Sequence, residues 1–290
     1  MRLAVLGSTE SWYLKDLRRA AADEDEIFPL SFRRLLGKVG GGRFQASSGD
    51  VGLREADCLL VRTMPPGSLE QVVFRMDVLA SLEAAGMPVV NPPKALETSV
   101  DKFLALAKLD AAGIPIPRTI VCQTVDEASV AFEELGGDVV LKPLFGSEGR
   151  GLMRLDDEGL ARRACQMLSQ LGAVLYLQEF IPHPGHDYRA LVLGDRVLGM
   201  RRVNPSDWRT NISRGARAEA CELTDEHREL ALRAAATVGG SFLGVDLLRA
   251  DSGETYILEV NAVPGWKALA AAHQIDVAAL LLEHLRNVVA

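Results

Sequence analysis

Cysteine is scarce: four in 290 residues, Cys58, Cys122, Cys165 and Cys221, all far apart. With no C-x-x-C pair and no histidine at ligand spacing, neither a disulfide framework nor a thiolate metal site fits. They read as free, mostly buried thiols of a reducing cytoplasm. Positive charge is also in deficit. Thirty-two Lys and Arg stand against 39 Asp and Glu, a net charge of −7. That balance argues against a nucleic-acid partner, so any anionic ligand must be held by local positive charge. No apolar run approaches the ~20 residues of a membrane span, which argues against a membrane partner. Leu3-Ala-Val-Leu6 is too short for a targeting segment and suits a first strand. Ser8 and Ser147 lack the strand–elbow–helix setting of a hydrolase nucleophile. There is no internal repeat and no long disordered tail.

Hydrophobic residues make up 48% of the chain, ample for one large domain or two to three packed subdomains. Strand patterns at 2–6, 27–30, 57–61 and 88–90 alternate with helical patterns at 12–22 and 69–85, which predicts a parallel sheet. The glycine- and serine-rich stretch 37–52 predicts a mobile loop or loose hairpin. Downstream, helices are expected over 100–112, 125–135, 156–171, 224–238 and 275–288. Thr224 is the N-cap of the fourth, and Leu280, Leu281 and Leu285 face inward on the last. Strands are expected near 119–121, 139–141, 151–155 and 174–178. A hairpin is expected over 189–200.

Two stretches carry chemistry. Val139-Val-Leu-Lys-Pro-Leu-Phe-Gly-Ser-Glu-Gly-Arg-Gly-Leu152 reads strand, flexible loop, strand. Gly146, Gly149 and Gly151 can take positive φ and expose backbone N–H groups. Such a loop after a strand lysine, Lys142, can fold over a triphosphate, or it can be an ordinary hairpin. No Gly-Lys-Ser/Thr follows, so it is not a P-loop, and the order G-x-x-G-x-G is not a dinucleotide fingerprint. The second stretch is a hairpin, 243–249 and 254–261, around Ala250-Asp-Ser-Gly253. With that tetrad as the loop, Arg249 faces Glu254 and Asp246 faces Ile257. Alternation then puts Ile257, Glu259 and Asn261 on one face, with Asp246 diagonal to Glu259. Two carboxylates and an amide oxygen are hard ligands suited to Mg²⁺; a merely polar outer face is the plainer possibility.

Together with Asn91-Pro-Pro93, Asp101-Lys-Phe103, Gln178-Glu-Phe180, Asp187-Tyr-Arg189, Trp208-Arg-Thr-Asn211, Gly244-Val-Asp246 and Glu259-Val-Asn-Ala-Val-Pro-Gly265, these stretches resemble the ATP-grasp superfamily. Within it they resemble the RimK-like α-L-glutamate ligases. Each motif alone is weak; their order and spacing cover the chain from about Asn91 onward.

The resemblance implies an α/β (α+β ATP-grasp) fold in three parts. Residues 1–95 would be a pre-ATP-grasp substrate-binding domain, 96–180 the central subdomain with the glycine loop, and 181–290 the C-terminal subdomain with the metal site. It implies ATP and Mg²⁺ (or Mn²⁺) as cofactors. Lys102, Lys142, Gly146, Ser147, Gly149 and Gly151 would hold the phosphates. Gln178, Glu179, Phe180 and Ile181 would receive adenine, with Glu179 and the Phe180 backbone at its edge, and Asp187 the ribose. Asp246, Glu259 and Asn261 would hold the metal. Arg209 and Asn211, from the aromatic-Arg-x-Asn pattern, would be catalytic, and Arg202 follows with a less regular register. Arg62, Arg75 and Arg214 are further candidates for an anionic substrate, since an arginine fork suits carboxylate and phosphate. Arg62 also ends a strand at a sheet edge where ligands sit.

The expected activity is ATP-dependent amide formation through an acyl phosphate. L-Glutamate would be added to an acceptor carboxylate, either a coenzyme of the tetrahydromethanopterin type or a protein C-terminus. A ligase for another amino acid, or a nucleotide-binding regulator without turnover, are the alternatives. A homo-oligomer, dimer or tetramer, is expected.

Overall fold

The computed structural model describes residues 1–146 and 149–290. Its first unit runs β1 (Arg2–Leu6), α1 (Trp12–Ala20), β2 (Glu26–Leu30), β3 (Leu35–Lys38), β4 (Gln45–Ser48), β5 (Val51–Gly52), β6 (Cys58–Val61), α2 (Leu69–Ala84), β7 (Val89–Val90). Four of these strands form a sheet in the order β2-β1-β6-β7, all parallel. Both faces are covered, so β1 and β6 are continuous apolar runs, with Leu3, Leu6, Leu59 and Leu60 fully buried.

Of the two forms expected for the 37–52 stretch, the structure shows the hairpin, with a third strand added. β3, β4 and β5 form a small antiparallel sheet. Its glycines sit at the tip, where Gly40, Gly41 and Gly42 all have positive φ. The strands are mostly polar and are tied down by a few groups, chiefly Ala46 and the neighbouring Phe32 and Leu53 in the core. That pattern is too sparse for periodicity to reveal.

The helix expected over 100–112 belongs to a pair, α3 (Pro93–Val100) and α4 (Lys102–Ala111). Asp101 separates them and caps the second, accepting from the Leu104 N–H at 3.0 Å. The second sheet contains β8 (Thr119–Cys122), β9 (Val139–Lys142), β10 (Met153–Leu155) and β11 (Leu175–Glu179), in the order β10-β9-β11-β8 and antiparallel. Two helices, α5 (Val125–Glu134) and α6 (Glu158–Gln170), belong to it. Val139 and Leu141 join Ala131, Phe132 and Cys165 in one core. Alternation therefore turns Val140 and Lys142 to the opposite face, into a cleft.

The third sheet contains β12 (His186–Leu193), β13 (Arg196–Val203), β14 (Arg217–Ala220), β15 (Phe242–Arg249) and β16 (Thr255–Asn261), antiparallel in the order β14-β13-β12-β15-β16. Before β15 comes α7 (Asp225–Val238), capped by Thr224, which accepts from the His227 N–H at 3.2 Å. Two helices end the chain, α8 (Lys267–His273), which the sequence had not suggested, and α9 (Val277–Val289).

The chain's two ends share a core. Leu281, Leu282 and Leu285 of α9 pack with Leu3, Val5, Leu14 and Leu17, while Leu280 is only partly buried. Arg19 closes the contact with a two-pronged bond to Asp276, 2.8 Å at each oxygen. Asn91 is a second tie. Its Oδ1 accepts from the Ser241 and Phe242 N–H groups, and its Nδ2 donates to the Phe242 and Ala262 carbonyls. The Asn91-Pro-Pro93 motif thus fastens the first sheet to β15.

Candidate active site

The second and third sheets face each other across a cleft. Lys142 ends β9 there, half-buried, and donates to Gln178 Oε1 at 2.5 Å. Gln178 in turn donates to Thr119 Oγ1 at 2.8 Å, which fixes the amide. Burial pushes the Lys142 ammonium down to about 8, with Lys102 adding repulsion and Glu259 and Asp246 opposing. Lys102, at the start of α4, reaches the glycine loop and donates to the Gly146 carbonyl at 2.8 Å and that of Leu144 at 3.3 Å. Its pKa is also lowered by burial. Two lysines from distant segments therefore line one cleft.

Opposite them stand Asp246 and Glu259. The expected hairpin register needs correction. Arg249 pairs with Thr255, Leu247 with Ile257, and Asp246 with Glu259, because the register shifts between Asp246 and Leu247 and leaves Leu258 as an extra residue. Ile257 therefore turns into the core with Val260, while Leu258 and Glu259 both line the cleft. The carboxylates are direct neighbours, not diagonal ones.

Their environments differ. Burial, then the charge of Asp246, raises the Glu259 pKa, against the pull of Arg189, Lys102 and Lys142. Burial also opposes ionisation of Asp246, but Arg189 and Arg202 hold its carboxyl below the usual range. Arg189 grips both Asp246 oxygens, the Oδ2 contact being 2.8 Å. Arg202 donates to the same Oδ2 at 2.9 Å and also forks onto Asp187, with Nε to Oδ1 at 2.7 Å. Asn261 Oδ1 accepts from the Val263 N–H at 2.8 Å and shapes the turn after β16.

Two facing carboxylates, Asp246 buried and Glu259 half-buried, one raised by the other, form a hard-oxygen pair that a divalent cation would relieve, so the site fits Mg²⁺. Occupancy would require Asp246 to release part of its guanidinium contact.

At the cleft's other end, Phe180 lies under Arg154, whose Cζ is 3.6 Å from the ring centroid, and edge-on to Trp208 at 5.9 Å. Glu179 and Phe180 line the cleft, while the Glu179 carboxylate and the Phe180 N–H already have partners within the protein. The Glu179 carboxylate accepts from the Arg118 N–H at 2.7 Å and Arg118 Nε at 2.8 Å, and the Phe180 N–H donates to the Asp138 carbonyl at 2.9 Å. Both groups are engaged within the protein. Ile181 lines the cleft, as does Asp187, whose carboxylate is held by Arg202.

Arg202 and Arg209 both reach the cleft. Arg209 pairs with Asp207, NH2 to Oδ2 at 2.6 Å, and lies over Trp208 with Cζ 5.7 Å from the ring. Asn211 meets the glycine loop: a Cβ on Gly149, whose φ is +69°, would lie 2.3 Å from Asn211 Oδ1. Arg214 donates to the Gly149 carbonyl at 3.2 Å, while Arg201 pairs with Glu219. Gly146 lines the cleft; Gly151 lies against Pro143, and Ser147 lies outside the described residues.

Arg62 and Arg75 lie elsewhere. Arg62 is buried at the junction of the first and third units. It donates to the Pro264 carbonyl at 2.8 Å among the rings of Tyr13, Trp266 and Phe242. Its Nε and NH1 have no partner, and burial pushes its pKa down to about 10. Arg75 lines a separate groove on the first unit. Sequence reasoning gave no role to Arg189, although it closes the Asp187-Tyr-Arg189 motif and sits opposite Asp246 in the β12–β15 pairing, nor to Arg154. Each acts through strand register, which carries no local signal.

Residues 99–285 match the model of the RimK-like ATP-grasp domain. The tetrahydromethanopterin:alpha-L-glutamate ligase of Methanosarcina acetivorans is 34% identical over 314 residues, covering 96% of each chain. Its counterpart in Methanocaldococcus jannaschii is 35% identical over 240 residues, 80% of each. The alpha-aminoadipate–LysW ligase LysX of Sulfolobus acidocaldarius is 35% identical over 176 residues, 59% of this chain and 64% of that one. Among solved structures, the ATP-grasp ligase PsnB with minimal precursor, Mg and ADP superposes with a TM-score of 0.77 at 22% identity, covering 99% of this chain and 97% of that one. The RimK domain ATP-grasp protein of Sphaerobacter thermophilus gives 0.75 at 24%, covering 98% and 99%. Cleft, glycine loop, paired lysines and facing carboxylates thus lie inside a match spanning well over half the sequence, and the chain belongs to the RimK-like ATP-grasp family.

Proposed function

We propose that this ATP-dependent ligase joins the amine of L-glutamate to a carboxylate of an elongated acceptor, a coenzyme of the tetrahydromethanopterin type. The observation that carries it is the convergence of Lys102, Lys142, Asp246 and Glu259 on one cleft beneath the glycine loop. The glutamate and coenzyme assignments lean on the relatives that run nearly the whole length of the chain.

In the first step an acceptor carboxylate oxygen attacks the γ-phosphorus and the bond to the β-phosphate oxygen breaks, releasing ADP. In the second the glutamate amine attacks the acyl carbon, inorganic phosphate leaves, and the nitrogen loses its proton. Lys142 and Lys102 place fixed positive charge on the phosphates in a water-poor cleft. Asp246, Glu259 and Asn261 would hold Mg²⁺, which would supply positive charge against the phosphates. Arg209 exchanges Asp207 for the acyl phosphate and for the oxyanion that follows. Gly146, Gly149 and Gly151, the described glycines of the loop, would help keep water from the intermediate. Residues 1–95 serve the acceptor, and 96–180 with 181–290 clasp the nucleotide.

The test is ADP release against amide product, with L-glutamate and a panel of pterin coenzymes, deazaflavin coenzymes and protein C-terminal peptides. Coupled turnover with a pterin acceptor is expected. Coupled turnover only with a different amino acid would replace glutamate, and ATP binding without turnover on any pair would make the chain a regulator.

A further inference from the structure

A groove of about 540 Å³ lies apart from the nucleotide cleft. Phe32, Leu35, Pro66 and Phe74 supply its apolar lining, and Arg33 and Arg75 its charge. Its remaining polar side chain, Gln71, is engaged in capping α2, where it accepts from the Ser68 N–H at 3.2 Å. No acid lines the groove, in a chain whose net charge is −7. Arg33 is exposed and makes no ion pair among the described residues. Arg75 is 5% exposed and donates to the Pro65 carbonyl at 2.7 Å, with no carboxylate partner among the described residues. Two guanidinium groups unpaired with any acid at a concave, partly aromatic surface form a receptor for a flat anion.

The groove's position relates it to the reaction. It flanks the segment between β6 and α2, at the C-terminal edge of a parallel sheet. Pro66 is four residues beyond Arg62, which holds the Pro264 carbonyl, and Pro264 is three residues beyond Asn261. Chain reach therefore limits the separation of groove and Asn261 to on the order of 30 Å. A long acceptor can place its carboxylate beside Asp246 and Glu259 and its body in the groove.

We infer that this groove seats the acceptor's body, a flat aromatic ring system bearing an anionic group that Arg33 and Arg75 hold. The inference rests on the ligase reading above and adds where the acceptor is recognised. Exposed Leu36, Leu69 and Val73 extend apolar surface around it, and the alternative occupant is a second copy of the chain.

The direct test is titration of pterin-6-carboxylate, a fluorescent flat anion, against wild type, Arg33→Lys, Arg33→Glu and Arg75→Met. Arg33→Glu removes no structural bond and should fold. Binding is expected to weaken roughly tenfold or more in Arg33→Glu and Arg75→Met, and less in Arg33→Lys. With an acceptor found in the ligation panel, Arg33→Glu should raise KM for that acceptor by a similar factor. It should leave kcat and the KM values for ATP and glutamate unchanged. A truncated acceptor keeping only the carboxylate end should not distinguish the variants. Probe binding lost in Arg33→Glu by a protein that ligates nothing would uphold the groove and sink the ligase reading. Turnover with acceptor KM and probe binding unchanged in all variants would overturn the groove alone. An altered monomer–dimer balance in Arg33→Glu with unchanged probe binding would assign the face to a second copy and overturn it too.

Discussion

Asp246 and Glu259 stand directly opposite one another across β15 and β16, and the extra residue that accompanies this register is Leu258. The bulge lets Ile257 and Val260 both enter the core while Glu259 keeps its place in the cleft. Two carboxylates side by side, one buried and one half-buried, repel, and the structure bears that cost where a cation would remove it.

Glu259→Gln should therefore separate stability from activity. The Glu259 pKa is raised in the folded chain, so its stabilising effect is full below the ordinary carboxylate pKa and is lost as pH rises through the folded value. Above the ordinary carboxylate pKa the group is therefore a burden on folding, and the glutamine variant should melt higher than wild type. Mg²⁺-dependent ADP formation should fall on the order of 10²-fold or more, and Mg²⁺ should raise the wild-type Tm but not that of the variant. Equal response to Mg²⁺ in the two melting curves would remove Glu259 from the metal site.

ATP affinity should depend on pH through Lys142. Its free-state pKa is about 8 because it is buried, and bound phosphate favours the ammonium and raises that value. Affinity is thus full below pH 8 and declines as pH rises above it, with proton uptake on binding that grows over the same range. Calorimetry from pH 7 to 9.5 in two buffers of different ionisation enthalpy measures both. A flat profile that Lys142→Met leaves unchanged would show that Lys142 does not meet the phosphates.

Gly149→Ala should disable the loop. The residue's φ of +69° strains any side chain, and the new Cβ would fall 2.3 Å from Asn211 Oδ1. Displacing the loop by about 1 Å should lower turnover on the order of 10²-fold, with little change in Tm because the position is a surface loop. Wild-type kinetics in this variant would mean that the Gly149–Asn211 contact is absent during turnover.

Arg62→Met should stabilise the protein. The guanidinium is buried without a carboxylate, and two of its nitrogens lack partners. Replacing buried charge with an apolar side chain of similar size is often neutral or stabilising, by about 1–4 kcal/mol. Aromatic faces offset part of the penalty, at about 2 kcal/mol for a desolvated cation–π contact. A rise in Tm of a few degrees is expected, at about 2–4 °C per kcal/mol. A clear fall would mean that the three rings and the Pro264 bond outweigh desolvation.

Local chemistry was legible in the residues themselves. Lys142 at a strand end before three glycines, Thr224 before a helical run, and the acid-bearing strand ahead of Pro264 all depend on neighbours within a few positions. The ordered motifs were enough to indicate the ATP-grasp fold, because their chemistry constrains spacing as well as identity. Strand register was not legible. A single extra residue, Leu258, moved Asp246 from Ile257 to Glu259, and hairpin composition does not specify where a bulge falls. Nor were charge partners: Arg189 and Arg202 reach Asp246 only because β13, β12 and β15 lie side by side. Arg62 had the sequence of a sheet-edge ligand residue, and only the return of the 262–266 turn against the first sheet buried it. Bonding between near neighbours is written along the chain; which distant charges meet in a low-dielectric interior depends on tertiary packing, and that decided how the site is wired.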